Sequence, residues 1–207
     1  DILSREFSLT NSGNYFDYKG NMNKNLIKFH DKIELKNINF NYSSRKDKFS
    51  IVDINFTINK GDVIGIIGPS GSGKSTILDL ILGLLEPESG KILIDGIDQT
   101  FSKNRYSNLI AYVPQKIFLI DDSILNNIAL GIEEKDIDMT LLKKALKQSK
   151  LDEFVNTLKD GVHTEVGENG IKISGGQLQR LGIARALYTS NEIIIFDEST
   201  SSLDLKT

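Results

Sequence analysis

The segment GPSGSGKST at residues 68–76 constrains what this chain can fold into more than any other feature of its sequence. Gly68, Gly73, Lys74 and Ser75 fit the spacing G-x-x-x-x-G-K-[ST], in which glycines let successive backbone N–H groups converge on a phosphate. Such a loop works where a β-strand enters it and a helix leaves it. Because an apolar run precedes the loop and another follows it, the sequence predicts a strand–loop–helix phosphate site in an α/β fold.

Short apolar runs elsewhere predict the strands of a mixed α/β core. Residues 33–40 alternate with one change of phase, which predicts a strand with a bulge. A second, half-buried strand is predicted from the alternating residues Val52, Ile54, Phe56 and Ile58. Compact apolar runs predict four more strands, at residues 63–67, 92–94, 109–113 and 193–196.

One helix is predicted directly after the phosphate loop. Residues 77–85 are apolar apart from Asp79 and Gly83, and Pro87 and Gly90 are the stop signals that follow them. Residues 1–31 are polar and show no sustained period, so we expect a linker there.

The pattern between Gln115 and Gly176 predicts a helical insert. Asp138 is placed to cap a helix whose apolar positions include Leu141, Leu142, Ala145 and Leu146. Residues 151–158 predict a second short helix, ended by Gly161. The sequence therefore predicts an α/β core interrupted by helices.

The candidate catalytic groups lie at two points of this predicted core. Lys74 would place a charge on the β- and γ-phosphates, and the Ser75 hydroxyl is a natural Mg²⁺ ligand. Asp197 and Glu198 follow the apolar run 193–196, at the strand end where an open sheet binds its ligands. Asp197 would hold Mg²⁺ through water or Ser75, and Glu198 would act as the general base for an attacking water. The alternatives are an ordinary glycine-rich turn and a strand ending in a solvated acidic turn.

A second glycine-rich segment, ISGGQLQR at residues 173–180, opens another predicted helix. Ser174 can cap this helix, whose first N–H groups would then bind an anion. One chain has no need of two such elements for a single triphosphate unless each serves a different copy of the protein. A capped helix start without any ligand is the alternative interpretation.

The amino-acid composition restricts the class of ligand and the cellular compartment that we expect for this chain. The 207 residues carry a net charge of −3 with a pI of about 5.5, which argues against duplex nucleic acid as the partner. The absence of cysteine excludes disulfides and cysteine-bound metal, and two histidines argue against a zinc site. The longest apolar stretch is far shorter than the roughly 20 residues of a membrane span. We expect a soluble intracellular domain and, because the chain starts at Asp1, a fragment.

Residues 33–207 resemble the nucleotide-binding domain of an ABC transporter. The motifs stand in that family's order: GPSGSGKST, then Gln115 after YVP, ISGGQ, IIIFDE, and SSLD at residues 201–204. Ile173 stands where the family's LSGGQ signature has leucine, an apolar exchange. The resemblance implies a P-loop NTPase core sheet with an antiparallel β subdomain and an inserted α-helical subdomain at about 116–180. It also implies that residues 1–32 lead in from a membrane domain and that the C-terminal part of the domain is missing.

The resemblance assigns a role to individual residues. It implies that ATP is bound by Tyr42, which would stack on adenine, and by Gly68, Pro69, Ser70, Gly71, Ser72, Gly73, Lys74, Ser75 and Thr76. A surface or core position remains the alternative for Tyr42. It implies catalysis by Glu198 and Gln115, with Mg²⁺ held by Ser75, Gln115 and Asp197. The ATP of a partner protomer would be contacted by Ser174, Gly175, Gly176 and Gln177, and Asp204 would lie in the dimer-contact loop.

Two further segments resemble ABC exporters in particular. TEVGENG at residues 164–170 is similar to an exporter element that touches the membrane domains, with Asn169 in place of arginine, and SILNNIALG at residues 123–131 is similar to the stretch after the glutamine loop. The resemblance thus implies an ATP-hydrolysing module at the cytoplasmic face of the membrane. It would pair head-to-tail with a second copy, in a homodimer or a heterodimer, and drive export by transmembrane domains, without nucleic acid as a partner.

The alternative is a soluble ABC-type ATPase that acts on ribosomes or DNA. Members that act on DNA carry a long coiled coil between the glutamine loop and the signature, and the 58 residues from 116 to 173 are too few for one. A monomeric P-loop kinase would leave ISGGQ unexplained. The family's switch histidine would lie beyond Thr207, and neither His30 nor His163 takes its place.

Overall fold

The computed structural model describes residues 29–42, 50–100, 109–168, 171–189 and 192–197. Its strands are β1 (Lys32–Asn41), β2 (Ser50–Asn59), β3 (Ser89–Ile94), β4 (Ile97–Asp98), β5 (Ile110–Val113), β6 (Asp122–Ser123), β7 (Glu165–Val166) and β8 (Ile193–Phe196). Its α-helices are α1 (Lys74–Ile81), α2 (Ile124–Ile128), α3 (Met139–Gln148), α4 (Asp152–Thr157) and α5 (Gly175–Tyr188). Short 3₁₀ turns lie at Glu134–Asp136 and Gly161–His163.

The first layer is an antiparallel sheet in the order β2-β1-β3-β4. Ile33 on β1 lies opposite Ile58 on β2 and Ile94 on β3. The inward side chains of the sheet pack with Leu80 and Ile81 of α1 in one core. This layer packs against α1, the helix that follows the phosphate loop.

The predicted bulge in β1 is confirmed, and a second one in β2 corrects the predicted phase of that strand. Register shifts separate Leu35 from Ile38, and the backbone of Asn37 has a φ of 51°. In β2, Asp53 also has a φ of 51°, so the residues before it change face: Ile51 is buried and Val52 is exposed. The Asn37 amide donates to Asp53 Oδ1 at 2.9 Å, which ties the two irregular positions together.

The predicted helix after the phosphate loop starts and ends earlier than its apolar run suggests. It begins at Lys74 and ends at Ile81, and Leu84 beyond it is 70% exposed. The terminator is Gly83, whose φ of 72° a helix cannot contain, rather than Pro87 or Gly90. Gly90 is needed elsewhere, because a Cβ there would lie 2.4 Å from the carbonyl oxygen of Asn37 at the bulge.

The predicted strand before the phosphate loop is wrong in this structure. Residues 62–69 adopt no helix or strand, and Val63 and Ile67 are almost fully exposed. An apolar run becomes a strand only when another strand pairs with it. Within the described residues β8 pairs in parallel with β5 and with no third strand, so the run at 63–67 has no ladder to join.

Helix α5 joins the parallel pair to the helical insert. Leu178, Ile183 and Ala186 pack with the sheet residues of β5 and β8. Leu181 and Ala184 of the same helix enter a second core that holds the buried side chains of α2, α3 and α4. Asp138 caps α3 as predicted, since its Oδ1 accepts from the N–H groups of Thr140 and Leu141.

Residues 29–31, assigned to the lead-in from their composition, pack with the first layer. Phe29 is buried, and its carbonyl oxygen accepts from Lys60 Nζ, which also pairs with Glu192 at 2.6 Å. The backbone N–H groups of His30 and Asp31 donate to Asp95. These contacts tie the last residues of the predicted lead-in to the first layer. Within the described residues, no helix combines the length and apolar content that a bilayer span requires.

Candidate nucleotide-binding site

The phosphate loop contains no helix or strand before Lys74, where α1 begins. Gly71 and Gly73 have φ values of 79° and 95°, which only glycine adopts without strain. A Cβ on Gly68 would lie 2.8 Å from Ser72 Oγ, so the loop curls tightly at its start. Lys74 Nζ donates to the carbonyl oxygens of Gly68 and Pro69 at 2.8 and 3.0 Å. The loop thus carries its own ammonium group beside the N-terminus of a helix, where an anion is favoured.

Tyr42 lies next to the first turn of α1. Its hydroxyl is 3.3 Å from Thr76 Oγ1, and its ring meets Phe40 edge-on with 4.8 Å between the centroids. Tyr42 therefore stands beside the predicted phosphate site and is half-buried. Its role in stacking on a base remains a prediction.

The acidic end of β8 lies beside a tyrosine of β5. The backbone N–H of Asp197 donates to Val113 O at 3.0 Å, which continues the parallel ladder, and the hydroxyl of Tyr112 donates to Asp197 Oδ2 at 2.9 Å. Burial, the hydrogen bond to Asp197 and the nearby carboxylates raise the pKa of Tyr112 to about 12. This hydroxyl is therefore a fixed neutral donor at physiological pH.

Asp79, on α1, is coupled electrostatically to the end of β8. Burial raises the pKa of Asp79, and the negative charge of Asp197 raises it further. The charge of Asp197 therefore acts on a residue of the helix that follows the phosphate loop. Glu198, the predicted base, and Asp204, the predicted dimer contact, lie outside the described residues.

The available donors suit Mg²⁺. In the described part of the chain, no three histidine, aspartate or glutamate side chains gather into a cage for a metal. The predicted ligands Ser75, Gln115 and Asp197 are a hydroxyl, an amide and a carboxylate. Such oxygen donors fit a cation that takes few protein ligands and completes its shell with water and substrate phosphates. The donor set is therefore consistent with Mg²⁺ bound together with a nucleotide.

The predicted cap on the signature helix is confirmed. Ser174 Oγ accepts from Gln177 N at 3.2 Å, and Gln177 Oε1 accepts from Ser174 N at 2.9 Å, which forms a reciprocal capping box. Ser174 and Gly175 are exposed, and no side chain would crowd a Cβ on Gly175. The N-terminus of α5, which also includes Gly176, is therefore open to an approaching anion.

The chain does not bring its two predicted anion-binding elements together. Among the described residues, no hydrogen bond joins residues 174–177 to the phosphate loop at 68–76. The two elements start different helices and are held by different neighbours.

One face of α5 instead holds the segment that follows Gln115. The side chain of Gln179 donates to Gln115 O at 3.2 Å, and Arg185 donates to Phe118 O at 3.2 Å. Between them, a Cβ on Gly182 would lie 2.4 Å from Ile117 Cδ1, so a larger residue here would force the Ile117 side chain to move. Burial lowers the pKa of Arg185, which also donates to Asn127 O at 2.8 Å.

Sequence reasoning missed this contact face and also missed Tyr112 and Asp79. The spacing of positions 179, 182 and 185 marks one helix face, but glycine, glutamine and arginine there give no apolar signal. Tyr112 lies three residues before Gln115, in a motif from which only the glutamine was assigned a role.

The two exporter-like segments are neighbours in the structure. Asp122 and Ser123 pair with Val166 and Glu165, and the N–H of Ile124 donates to Thr164 O at 3.0 Å. Gly167 packs against Asp121, where a Cβ would lie 2.9 Å from the Asp121 Cα. One surface of the helical insert is thus built from both segments.

Comparison with known proteins agrees with this arrangement. A sequence model of the family described as ABC transporter matches residues 51–201. The chain is 42% identical over 153 residues, 73% of its length, to an ATP-dependent lipid A-core flippase of Cupriavidus pinatubonensis. It is 44% identical over 173 residues, 83% of its length, to the alpha-hemolysin translocation ATP-binding protein HlyB of Escherichia coli O157:H7.

A solved structure of a bacterial Atm1-family ABC exporter with ATP bound is also similar, with a TM-score of 0.76 and 34% identity over 87% of this chain. The predicted fold class is therefore confirmed. The chain spans 26% of the flippase, 24% of HlyB and 31% of the exporter chain.

Proposed function

Because this chain belongs to the ABC transporter family, we propose that it is the ATP-binding and ATP-hydrolysing energy module of an exporter. The observation that carries the proposal is that two helix starts predicted to bind anions, at Lys74 and at Gly175, are joined by no hydrogen bond within the described residues. Each would complete an ATP site only with the complementary element of a second copy.

We assign the first half-site to the phosphate loop. Residues 68–76 would hold the phosphates through backbone N–H groups and through Lys74, whose ammonium already lies in the loop. Tyr42, beside Thr76, would take the base. Ser75, Gln115 and Asp197 would hold Mg²⁺, which neutralises phosphate charge when bound. Glu198 would accept the proton of the attacking water.

We assign the second half-site to the signature helix. The backbone N–H groups at the start of α5, the Ser174 hydroxyl and Gln177 would face the γ-phosphate held by a partner copy. Asp204 would lie at the same interface. Such a head-to-tail pair is self-complementary and contains two ATP molecules, so ATP favours the closed dimer.

The membrane side of the proposal rests on the exporter relatives. Their names describe a flippase, a translocation protein and an exporter, and they are several times longer than this chain. We propose that residues 1–32 lead in from transmembrane domains, that residues 33–207 form the nucleotide-binding domain and that the insert at about 116–180 faces those domains at the cytoplasmic side. The surface built from residues 121–124 and 164–167 is the contact we expect to receive them. The relatives favour this function over a soluble ATPase that acts on ribosomes or DNA.

A pair of variants tests the proposal. Glu198→Gln should keep ATP binding, slow turnover at least about 100-fold and trap a dimer in gel filtration with ATP. Glu153→Gln, on the exposed side of α4, is the matched control and should behave as the unmodified chain does. Adding Ser174→Arg to Glu198→Gln should abolish the ATP-dependent dimer without weakening nucleotide binding to the monomer.

Two results would contradict the proposal. Near-normal hydrolysis by Glu198→Gln would remove the base assignment. Loss of nucleotide binding by monomeric Ser174→Arg would show that the signature serves its own chain's site.

A further inference from the structure

Two polar side chains meet at the carboxyl end of the parallel strand pair, and a third, from α1, is coupled to them electrostatically. Asp79 comes from α1, Tyr112 from β5, and Asp197 directly follows β8. The Tyr112 hydroxyl donates to Asp197 Oδ2 at 2.9 Å, and the charge of Asp197 acts on Asp79. Neither Tyr112 nor Asp79 belongs to the phosphate loop, the acidic pair or the signature.

The strand register explains why Tyr112 reaches Asp197. Tyr112 lies opposite Ile195 in the parallel ladder, so Asp197 is two residues further along the neighbouring strand, on the same face. The long phenol ring bridges that distance, while Ala111 and Val113 on either side of Tyr112 point into the core. A shorter side chain at this position would not reach the carboxylate.

The hydrogen bond restricts the orientation of the carboxylate. The phenol O–H is the donor and engages one oxygen, Oδ2, so Oδ1 remains as a further acceptor. A carboxylate binds a cation more tightly when a neighbouring group already fixes the orientation of the carboxylate. The carboxylate then does not have to be ordered when the cation binds.

We propose that Tyr112 is a positioning residue for Mg²⁺: its hydroxyl holds the Asp197 carboxylate in one orientation and so sets the divalent-cation affinity of the nucleotide-loaded site. The inference rests on the proposed function, because it requires Asp197 to serve the cation that accompanies ATP. It gives Tyr112 no contact with the nucleotide. Loss of the hydroxyl should therefore weaken cation binding and leave metal-free nucleotide binding unchanged.

The test measures cation binding without turnover. Mn²⁺ is titrated into the full chain with bound ADP, and free Mn²⁺ is followed by electron paramagnetic resonance. Tyr112→Phe should raise the Mn²⁺ concentration at half-saturation about tenfold, at the lower end of the range for groups that orient metal ligands, because water can reach Asp197 in place of the phenol. Binding of a fluorescent ADP analogue in EDTA should stay within twofold of the unmodified chain.

Tyr188→Phe is the matched control. It also removes one tyrosine hydroxyl, which accepts from Asp138 N at 3.0 Å in the helical insert, away from Asp197. It should leave Mn²⁺ binding unchanged even where it lowers thermal stability. A general effect of a lost hydroxyl on stability would instead alter both variants alike and overturn the proposal.

Asp197→Asn separates this inference from the proposed function. If Asp197→Asn weakens Mn²⁺ binding and Tyr112→Phe does not, the role of Tyr112 is wrong and that of Asp197 stands. If Mn²⁺ binding survives Asp197→Asn, the metal assignment of the proposed function fails, and the role of Tyr112 fails with it.

Discussion

The phosphate loop and the signature helix are both predicted to bind the phosphates of ATP, yet the chain builds them in different ways. Residues 62–73 form no helix or strand, and the apolar side chains of Val63 and Ile67 are exposed. Lys74 holds the loop through two carbonyl oxygens. Helix α5, in contrast, has a reciprocal cap at Ser174, a core on two faces and side chains that bind the segment after Gln115.

This difference indicates which half of the site depends on the ligand. The conformation of the start of α5 is fixed by hydrogen bonds within its own chain. It therefore needs no partner in order to form. Residues 68–72 of the phosphate loop are exposed, and we expect bound nucleotide to supply contacts that the loop lacks. Local stability is lowest where few buried contacts hold the backbone. Four sets of variants test this difference between the two helix starts.

The largest effect on nucleotide binding is expected on the loop side. Lys74→Ala should weaken ATP binding about 10–100-fold, because a charge-assisted contact to phosphate is lost. Lys91→Ala is the control, since that ammonium pairs with Asp98 at 3.5 Å on the exposed sheet edge. Fluorescence titration with a labelled nucleotide measures both variants. Unchanged binding by Lys74→Ala would show that residues 68–76 are not the ligand-dependent half.

The next effect is expected beneath the signature helix. Asn127 is fully buried, its Oδ1 accepts from Ile120 N, and its amide donates to Ile120 O and Ser123 O. Asn127→Leu should lower the free energy of unfolding by about 2–4 kcal/mol, because buried backbone groups lose their partners. Urea unfolding provides the measurement.

Asn126→Ala is the control for that experiment, since Asn126 is less buried and its amide donates to Asp122 Oδ1. If Asn127→Leu lowers the free energy of unfolding by less than about 1 kcal/mol, the hydrogen bonds of Asn127 do not stabilise the helical insert as the contacts indicate.

A smaller effect separates a structural cap from a ligand-binding one. Ser174→Ala and Asp138→Ala each remove an N-cap and should each cost about 1 kcal/mol in urea unfolding. Only Ser174→Ala should also weaken the ATP-dependent dimer, measured by sedimentation in the Glu198→Gln background. Equal effects of the two cap variants on the dimer would leave Ser174 with a structural role alone.

The smallest effect concerns the sheet layer that supports the loop. Burial would raise the pKa of Asp95, but the N–H groups of His30, Lys32 and Asp31 outweigh it and hold the pKa below its ordinary 3.8. A pKa lowered by folding adds stability above that ordinary value, and this stability is lost as the pH falls through the folded pKa. Asp95→Asn should therefore be less stable than the unmodified chain above about pH 4, with the difference shrinking below it.

Asp136→Asn, on an exposed 3₁₀ turn, is the control for the pH experiment. Thermal melts between pH 2.5 and 7 measure the difference. A gap between the unmodified chain and Asp95→Asn that does not change with pH would contradict the role of the Asp95 charge.

Features that depend on a few neighbouring residues were predictable from the sequence. The caps at Asp138 and Ser174 follow from side chains that bond to the next turn of their own helix, and the bulge at Asn37 follows from one change of phase. Features that depend on a partner strand were not. Val52 was assigned to the wrong face because Asp53 inserts a second bulge. The run at 63–67 carries a strand pattern that no described strand pairs with.

The sequence by itself determined the chemistry: a phosphate loop, a capped glycine-rich helix and an acidic strand end in one family-specific order. It could do so because loop curvature, helix capping and ligand type are properties of short segments. Only the tertiary structure decided which groups meet. The parallel register of β5 and β8 puts Tyr112 on Asp197, and the face of α5 at Gly182 admits Ile117. These contacts join residues far apart in the chain, and no local period encodes them.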